Sequence, residues 1–204
     1  MPVRRVMTPR TVTAAVLLCL LATACGSHAK TAKPHLGKGA GPDTSGPTAE
    51  PKAGTFTYQQ LTIRPPKLRN DGQQAVLVAY QNFWKALYDA GNDPLNGIAG
   101  LEAVTTDPAK RTFVTTFHQL AVQKQTKKGA VVLSPTITDV TDTSATITDC
   151  ADFSQSRIYN SQGKPVDSVD APTTSVEVKL TKVNGAWFVS SYDEPGRGCV
   201  QRKA

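Results

Sequence analysis

The sequence predicts an α+β fold, with N-terminal helices packed on a curved antiparallel sheet and one disulfide. Two observations carry most of that expectation. From about 72 to 128 the apolar residues recur with a helical period; past Gly129 the period becomes 2 and β-branched residues take over. Helices segregated to one face of an antiparallel sheet are among the few stable layer arrangements. The third observation is Asn184-Gly185, set between two β-branched runs, which is the strongest short hairpin signal in the chain.

Ahead of any helix, residues 1–24 have the layout of an export signal. Arg4, Arg5 and Arg10 precede an apolar segment over 12–21, and small residues follow. That segment is about half the length a helix needs to cross a bilayer, so a retained transmembrane anchor is not expected. The junction Leu21-Ala22-Thr23-Ala24-Cys25 resembles the lipobox of bacterial lipoproteins, with Ala22 where leucine is usual. The resemblance implies that Cys25 is lipidated, becomes the first mature residue and holds the protein to the extracytoplasmic face of the cell membrane. Each buried lipid methylene adds about 0.8 kcal/mol, so several chains anchor firmly where one would not. An ordinary secretory signal followed by a chance cysteine is the competing reading.

Loss of the signal removes three arginines and no acids, which lowers the formal charge from +7 to +4. Lys30, Lys33, Lys38 and Lys52 against Asp43 and Glu50 leave the tail at +2, and the rest of the excess is scattered over the domain. A balance this weak does not argue for a nucleic-acid partner. The partners expected are the membrane, through lipid on Cys25, and cell-wall or envelope protein components.

Of the four cysteines, Cys19 lies in the signal and Cys25 is the lipidation candidate. Cys150 and Cys199 remain, and outside the cytosol they should be oxidised to each other. Closing a loop of about 50 residues stabilises by about 4 kcal/mol in the chain-entropy picture. A metal site or a reactive thiol fits less well, because no histidine lies near either cysteine and no CxxC occurs.

Residues 25–55 read as a disordered tether rich in Gly, Pro and Lys, with Leu36 the lone large aliphatic residue. As a coil of roughly 30 residues it spans about 30 Å. The remainder, 56–204, is expected to be one domain. Phe56, Tyr58, Leu61 and Ile63 suggest an extended segment that docks on it before Pro65-Pro66 bars a helix.

The principal helix is expected after Asn70-Asp71-Gly72, with Asp71 as cap, and runs to about Asp89. Val76, Ala79, Tyr80, Phe83, Trp84 and Leu87 form one continuous apolar face. A shorter helix covers 94–103. Asp107 then caps a third, with Pro108 at its first position, a face of Phe113, Val114, Phe117, Leu120 and Ala121, and a stop at Lys127-Lys128-Gly129.

Strands are expected over 130–140, 144–153, 173–183 and 186–192, with 154–172 as a loop. A two-residue turn at Asn184-Gly185 pairs Val183 with Ala186, Leu180 with Val189, Val178 with Ser191 and Val176 with Asp193. Val176, Val178, Leu180, Trp187 and Val189 then share the face that meets the helices.

Taken together, the helix bearing Tyr80-Gln81-Asn82-Phe83-Trp84, the strand end Thr148-Asp149-Cys150-Ala151-Asp152, the strand Gly185-Ala186-Trp187-Phe188-Val189 and the terminal Gly198-Cys199 resemble exported actinobacterial lipoproteins. Their domain is similar to the nuclear transport factor 2-like cone shared with ketosteroid isomerases and polyketide cyclases. The resemblance implies a cone-shaped fold and no particular reaction, since fold does not confer one.

Acid/base chemistry in such a cone needs a carboxylate or histidine in a desolvated cleft and a donor aimed at the developing charge. Strand alternation puts Asp149 on the face of Ala145 and Ile147, and Asp193 on that of Val176 and Val178. With Tyr80 as donor and Trp84 beside it, these are the candidate pocket residues. The alternative places both acids at solvated strand ends and Tyr80 in the core, and that non-catalytic reading is the one we expect. His118 reads as structural, Trp84 and Trp187 as two halves of one core contact, and His28 and His35 lie in the tether. No phosphate loop, metalloprotease motif or nucleophile elbow occurs, so no metal or cofactor is expected. The expected role is a non-catalytic binding or structural one in the cell envelope, with a small-molecule carrier or acid/base enzyme using the cone as the alternative.

Overall fold

The computed structural model describes residues 54–167 and 172–201, with Arg197 by its backbone alone. The export signal, Cys25, and the tether as far as residue 53 lie outside the described residues.

Among the described residues the first element is a hairpin. Strands β1 (Phe56–Tyr58) and β2 (Leu61–Ile63) pair antiparallel. Leu61 and Ile63, two apart and therefore on one face, are fully buried. The helices are thus not the N-terminal layer, and the expectation is corrected on a second point as well. β2 runs parallel to β4 (Val131–Leu133), so the sheet is not wholly antiparallel. A parallel pair needs a long crossover, and here all three helices supply it.

Helix α1 spans Asp71–Asn92, and its cap is Asn70 rather than Asp71. Asn70 keeps extended backbone angles, and its side chain accepts a 2.9 Å bond from the Gln73 N–H. The helix runs through Gly91 to Asn92 and buries Val76, Leu77, Tyr80, Phe83 and Trp84 against the sheet. Helix α2 is Ile98–Val104. Helix α3, Ala109–Val122, starts from Pro108 without a side-chain cap, so Asp107 does not serve as one. Its buried residues are Ala109, Phe113 and Phe117, while His118 is exposed. The helix stops before the lysine pair, because 126–128 form β3 (Thr126–Lys128), which pairs with β7 (Arg157–Tyr159) as a separate ribbon. The expected loop over 154–172 therefore contains a strand.

β6 (Ser144–Asp152) organises the sheet. One edge pairs along its whole length with β8 (Thr173–Val183); the other meets β4 at Val132↔Asp152 and then β5 (Thr136–Val140). The expected long strand over 130–140 is broken between β4 and β5 at Ser134-Pro135, where proline has no N–H to give a ladder.

β9 (Ala186–Arg197) pairs with β8 through the Asn184-Gly185 turn. Val183↔Ala186 and Leu180↔Val189 are the expected pairs. The register then slips, with Lys179 opposite Ser191, Val178 opposite Tyr192 and Glu177 opposite Asp193. This bulge adds one residue to β9 and reverses which face the following side chains take, as far as a second irregularity between Asp193 and Gly196.

The expected disulfide is present. Cys150 on β6 joins Cys199 beyond β9, with Cα atoms 5.7 Å apart. Gln201 continues the fastening, its side-chain amide donating to the carbonyls of Val132 at 2.8 Å and Cys150 at 3.2 Å.

Candidate functional site: an aromatic cleft between helices and sheet

A cleft of about 340 Å³ opens between α1, α3 and the β3–β7 ribbon. That is the small end of the range for small-molecule sites, roughly 300–1,000 Å³. α1 contributes Trp84, Leu87 and Tyr88, and α3 contributes Phe113, Phe117 and Leu120. Val131 and Ile158 line it from β4 and β7, Phe153 from just past the end of β6, and Tyr192 from β9. Trp84, Phe113, Phe117 and Val131 are buried and form the floor, whereas Thr112, Thr116, Lys127 and Glu194 are exposed and form the rim.

The floor is one aromatic cluster. Tyr192 lies 5.3 Å from Phe113, 6.1 Å from Trp84 and 6.2 Å from Phe83, ring centre to ring centre. These separations fall in the range in which aromatic pairs gain beyond simple burial. Tyr192 is there because of the bulge. Without it, alternation from Trp187 and Val189 would carry Ser191 and Asp193 inward and turn Tyr192 out.

Of the four candidate pocket residues, Trp84 alone lines this cleft. Tyr80 is fully buried beneath it and donates its hydroxyl proton to Asp149 Oδ2. Asp149 faces inward with Ala145 and Ile147, and its Oδ1 accepts a 2.6 Å bond from the Ser134 N–H. That amide is released from ladder duty by the same break at Ser134-Pro135 that separates β4 from β5. What little of Asp149 is accessible opens on a shallow depression on another side, beside Thr136 and Cys150. Asp193 is exposed, and its carboxylate accepts from the Ser191 hydroxyl at 2.8 Å. Trp187 is partly buried, with the Lys182 ammonium 5.5 Å from its ring centre, and no Trp84–Trp187 ring contact occurs among the described residues.

Burial, and then the Asp149 charge and hydrogen bond, hold the Tyr80 hydroxyl well above the usual tyrosine range. The Trp84 indole N–H makes no hydrogen bond of good geometry, although it lies near enough to Tyr80 to offset part of that rise. Tyr192, partly open to solvent, is raised by burial and then by Glu194, whose carboxylate accepts its hydroxyl proton at 2.9 Å. At the rim, the Lys127 ammonium lies 4.9 Å from the centre of the Phe153 ring. Its pKa is lowered by desolvation, against the pull of Glu194 and Asp167. No group of His, Cys, Asp and Glu able to hold a metal ion occurs among the described residues.

Among the cleft residues that sequence reasoning missed are Tyr192, Lys127 and Glu194. Spacing carried a signal for the first: Trp187, Val189 and Tyr192 stand two and then three apart, and an interval of three inside a strand marks an inserted residue.

No family model matches this sequence, and no curated protein matches it. Solved structures do. The intermembrane space region of the chloroplast protein ARC6 is 11% identical, with a TM-score of 0.49, over 62% of this chain and 98% of that one. An NTF2-like protein from Cytophaga hutchinsonii is 16% identical, with a TM-score of 0.41, over 59% of this chain and 93% of that one. Aln2 from a Streptomyces species is 14% identical, with a TM-score of 0.41, over 57% and 87%.

Proposed function

We propose that this chain is a membrane-anchored, extracytoplasmic lipoprotein whose nuclear transport factor 2-like cone binds a small apolar ligand without chemically changing it. The observation that carries the binding part is the cleft: an aromatic floor of Trp84, Phe113, Phe117 and Tyr192 with its charged groups confined to the rim. Burial of apolar ligand surface there would contribute roughly 25 cal/mol per Å² before the cost of association.

The non-catalytic part is supported by the two candidate acids and by Glu194, the carboxylate at the rim, which already accepts the Tyr192 hydroxyl proton. A general base must come within hydrogen-bond reach of the proton it takes. Asp149 and Asp193 are not among the cleft-lining residues, and both Asp149 oxygens accept hydrogen bonds inside the fold. The envelope location is supported by the Cys25 junction in the sequence and by the oxidised Cys150–Cys199 pair, which suits a compartment outside the cytosol.

One experiment addresses both halves. Full-length protein and its Cys25→Ala variant are expressed in a bacterial host that processes lipoproteins. The wild type should fractionate with membranes, and the variant should appear in the medium or remain unprocessed; a variant retained on membranes in processed form overturns the anchor. The variant should bind anilinonaphthalene sulfonate saturably at one site, and Leu120→Trp, which fills the cleft, should abolish that signal. Binding untouched by Leu120→Trp overturns the cleft as the site.

A further inference from the structure

We infer that the cleft selects an amphiphile carrying a carboxylate, its apolar body on the aromatic floor and its head on the Lys127 ammonium. This rests on the cleft being a ligand site and adds the chemistry of the ligand.

Charge distribution at the rim leads there. Among the described residues the ion pairs join Lys85 to Asp89, Arg111 to Asp107 and Lys179 to Glu177, and Lys127 takes part in none of them. Its ammonium instead stands over the face of Phe153, which is itself a cleft wall. A ring face partly offsets a positive charge but satisfies none of the three N–H donors.

The two carboxylates near Lys127 already have donors of their own. Glu194 accepts from the Tyr192 hydroxyl at 2.9 Å, and Asp167 accepts from the Ile158 N–H at 2.7 Å. Neither comes within ion-pair distance of Lys127. The cleft therefore presents an apolar floor and, above it, one ammonium with hydrogen-bonding capacity to spare. A ligand carboxylate completes that ammonium with a charge-assisted hydrogen bond, which is stronger than a neutral one. A neutral head leaves the ammonium as it was, and an amine head opposes it.

The test compares decanoate, decanol and decylamine by calorimetric titration into the full chain carrying Cys25→Ala, with and without Lys127→Met. Decanoate should bind about tenfold or more tighter than decanol, the factor a charge-assisted hydrogen bond supplies. Lys127→Met keeps the apolar stem and should erase that preference while leaving decanol affinity within about twofold; the unchanged decanol value shows that the variant keeps an intact cleft. Equal binding of all three ligands, or a preference that survives Lys127→Met, overturns the head-group assignment and leaves the cleft standing. Tighter binding of decylamine overturns it in favour of Glu194 and Asp167. If none of the three binds, the cleft reading fails as well.

Discussion

Tyr80 and Asp149 form a polar pair buried in the apolar layer between α1 and β6, joined by a hydrogen bond. Each was legible as a core-facing position, Tyr80 from the helical face and Asp149 from strand alternation. Their contact was not, because 69 residues separate them and periodicity carries no information across elements. Removing the donor should reveal what the bond contributes: Tyr80→Phe leaves a buried carboxylate short of a partner and should cost about 1–3 kcal/mol in urea unfolding. The pH dependence has a definite sign. Below about pH 10 both folded and unfolded chains keep the phenol proton, so its contribution is constant. Above that, the unfolded chain releases the proton and the folded one, with its raised pKa, keeps it, so stability falls as pH rises. Above roughly pH 10 the decline should be shallower in Tyr80→Phe than in the wild type, and equal slopes there would refute the raised pKa. Tyr192, raised for similar reasons, contributes to the slope that remains.

At the level of elements, α1, α3, β6 and β8 lay close to where pattern put them, because each is long enough for its period to repeat. The short pieces were harder. β1, β2, β3, β4 and β7 have three residues each, too few for alternation to stand out. β9 failed in a more instructive way, since a turn-derived register is valid only as far as the first bulge, and the bulge decides that Tyr192 rather than Asp193 enters the cleft. The junction between ribbon and sheet is equally demanding. Gly129 has φ +116°, and a Cβ there would stand 1.9 Å from the Gln155 carbonyl oxygen. Gly129→Ala should therefore cost about 2–4 kcal/mol in urea unfolding and weaken ligand binding at the cleft it lines. A variant as stable as the wild type would mean that the ribbon can move aside freely.

Over the whole molecule, the α+β class and the disulfide were legible, but the order of layers was not. Three helices followed by strands looked like two segregated halves; the hairpin ahead of them makes the helices a bridge between parallel strands. The hairpin also decides where load would enter. A pull on the chain ahead of Gly54, as from a membrane anchor, arrives at β1, which holds an edge of the sheet by three residue pairs. Those pairs load one after another, and behind them stands a side-chain catch: the Tyr58 hydroxyl on Asp89 at 2.8 Å, with Lys85 gripping the same carboxylate at 2.8 Å. The C-terminal end is fastened covalently through Cys150 and Cys199 and is outside this load path. Under tension β1 should peel from β2 first and release about 25 Å of slack while β2 stays paired with β4. In force spectroscopy Tyr58→Phe should lower the force of that first yield and leave the main rupture unchanged, and an unaltered first yield would place the catch elsewhere. In mechanical terms the hairpin is a fuse, set between the chain ahead of Gly54 and the cleft.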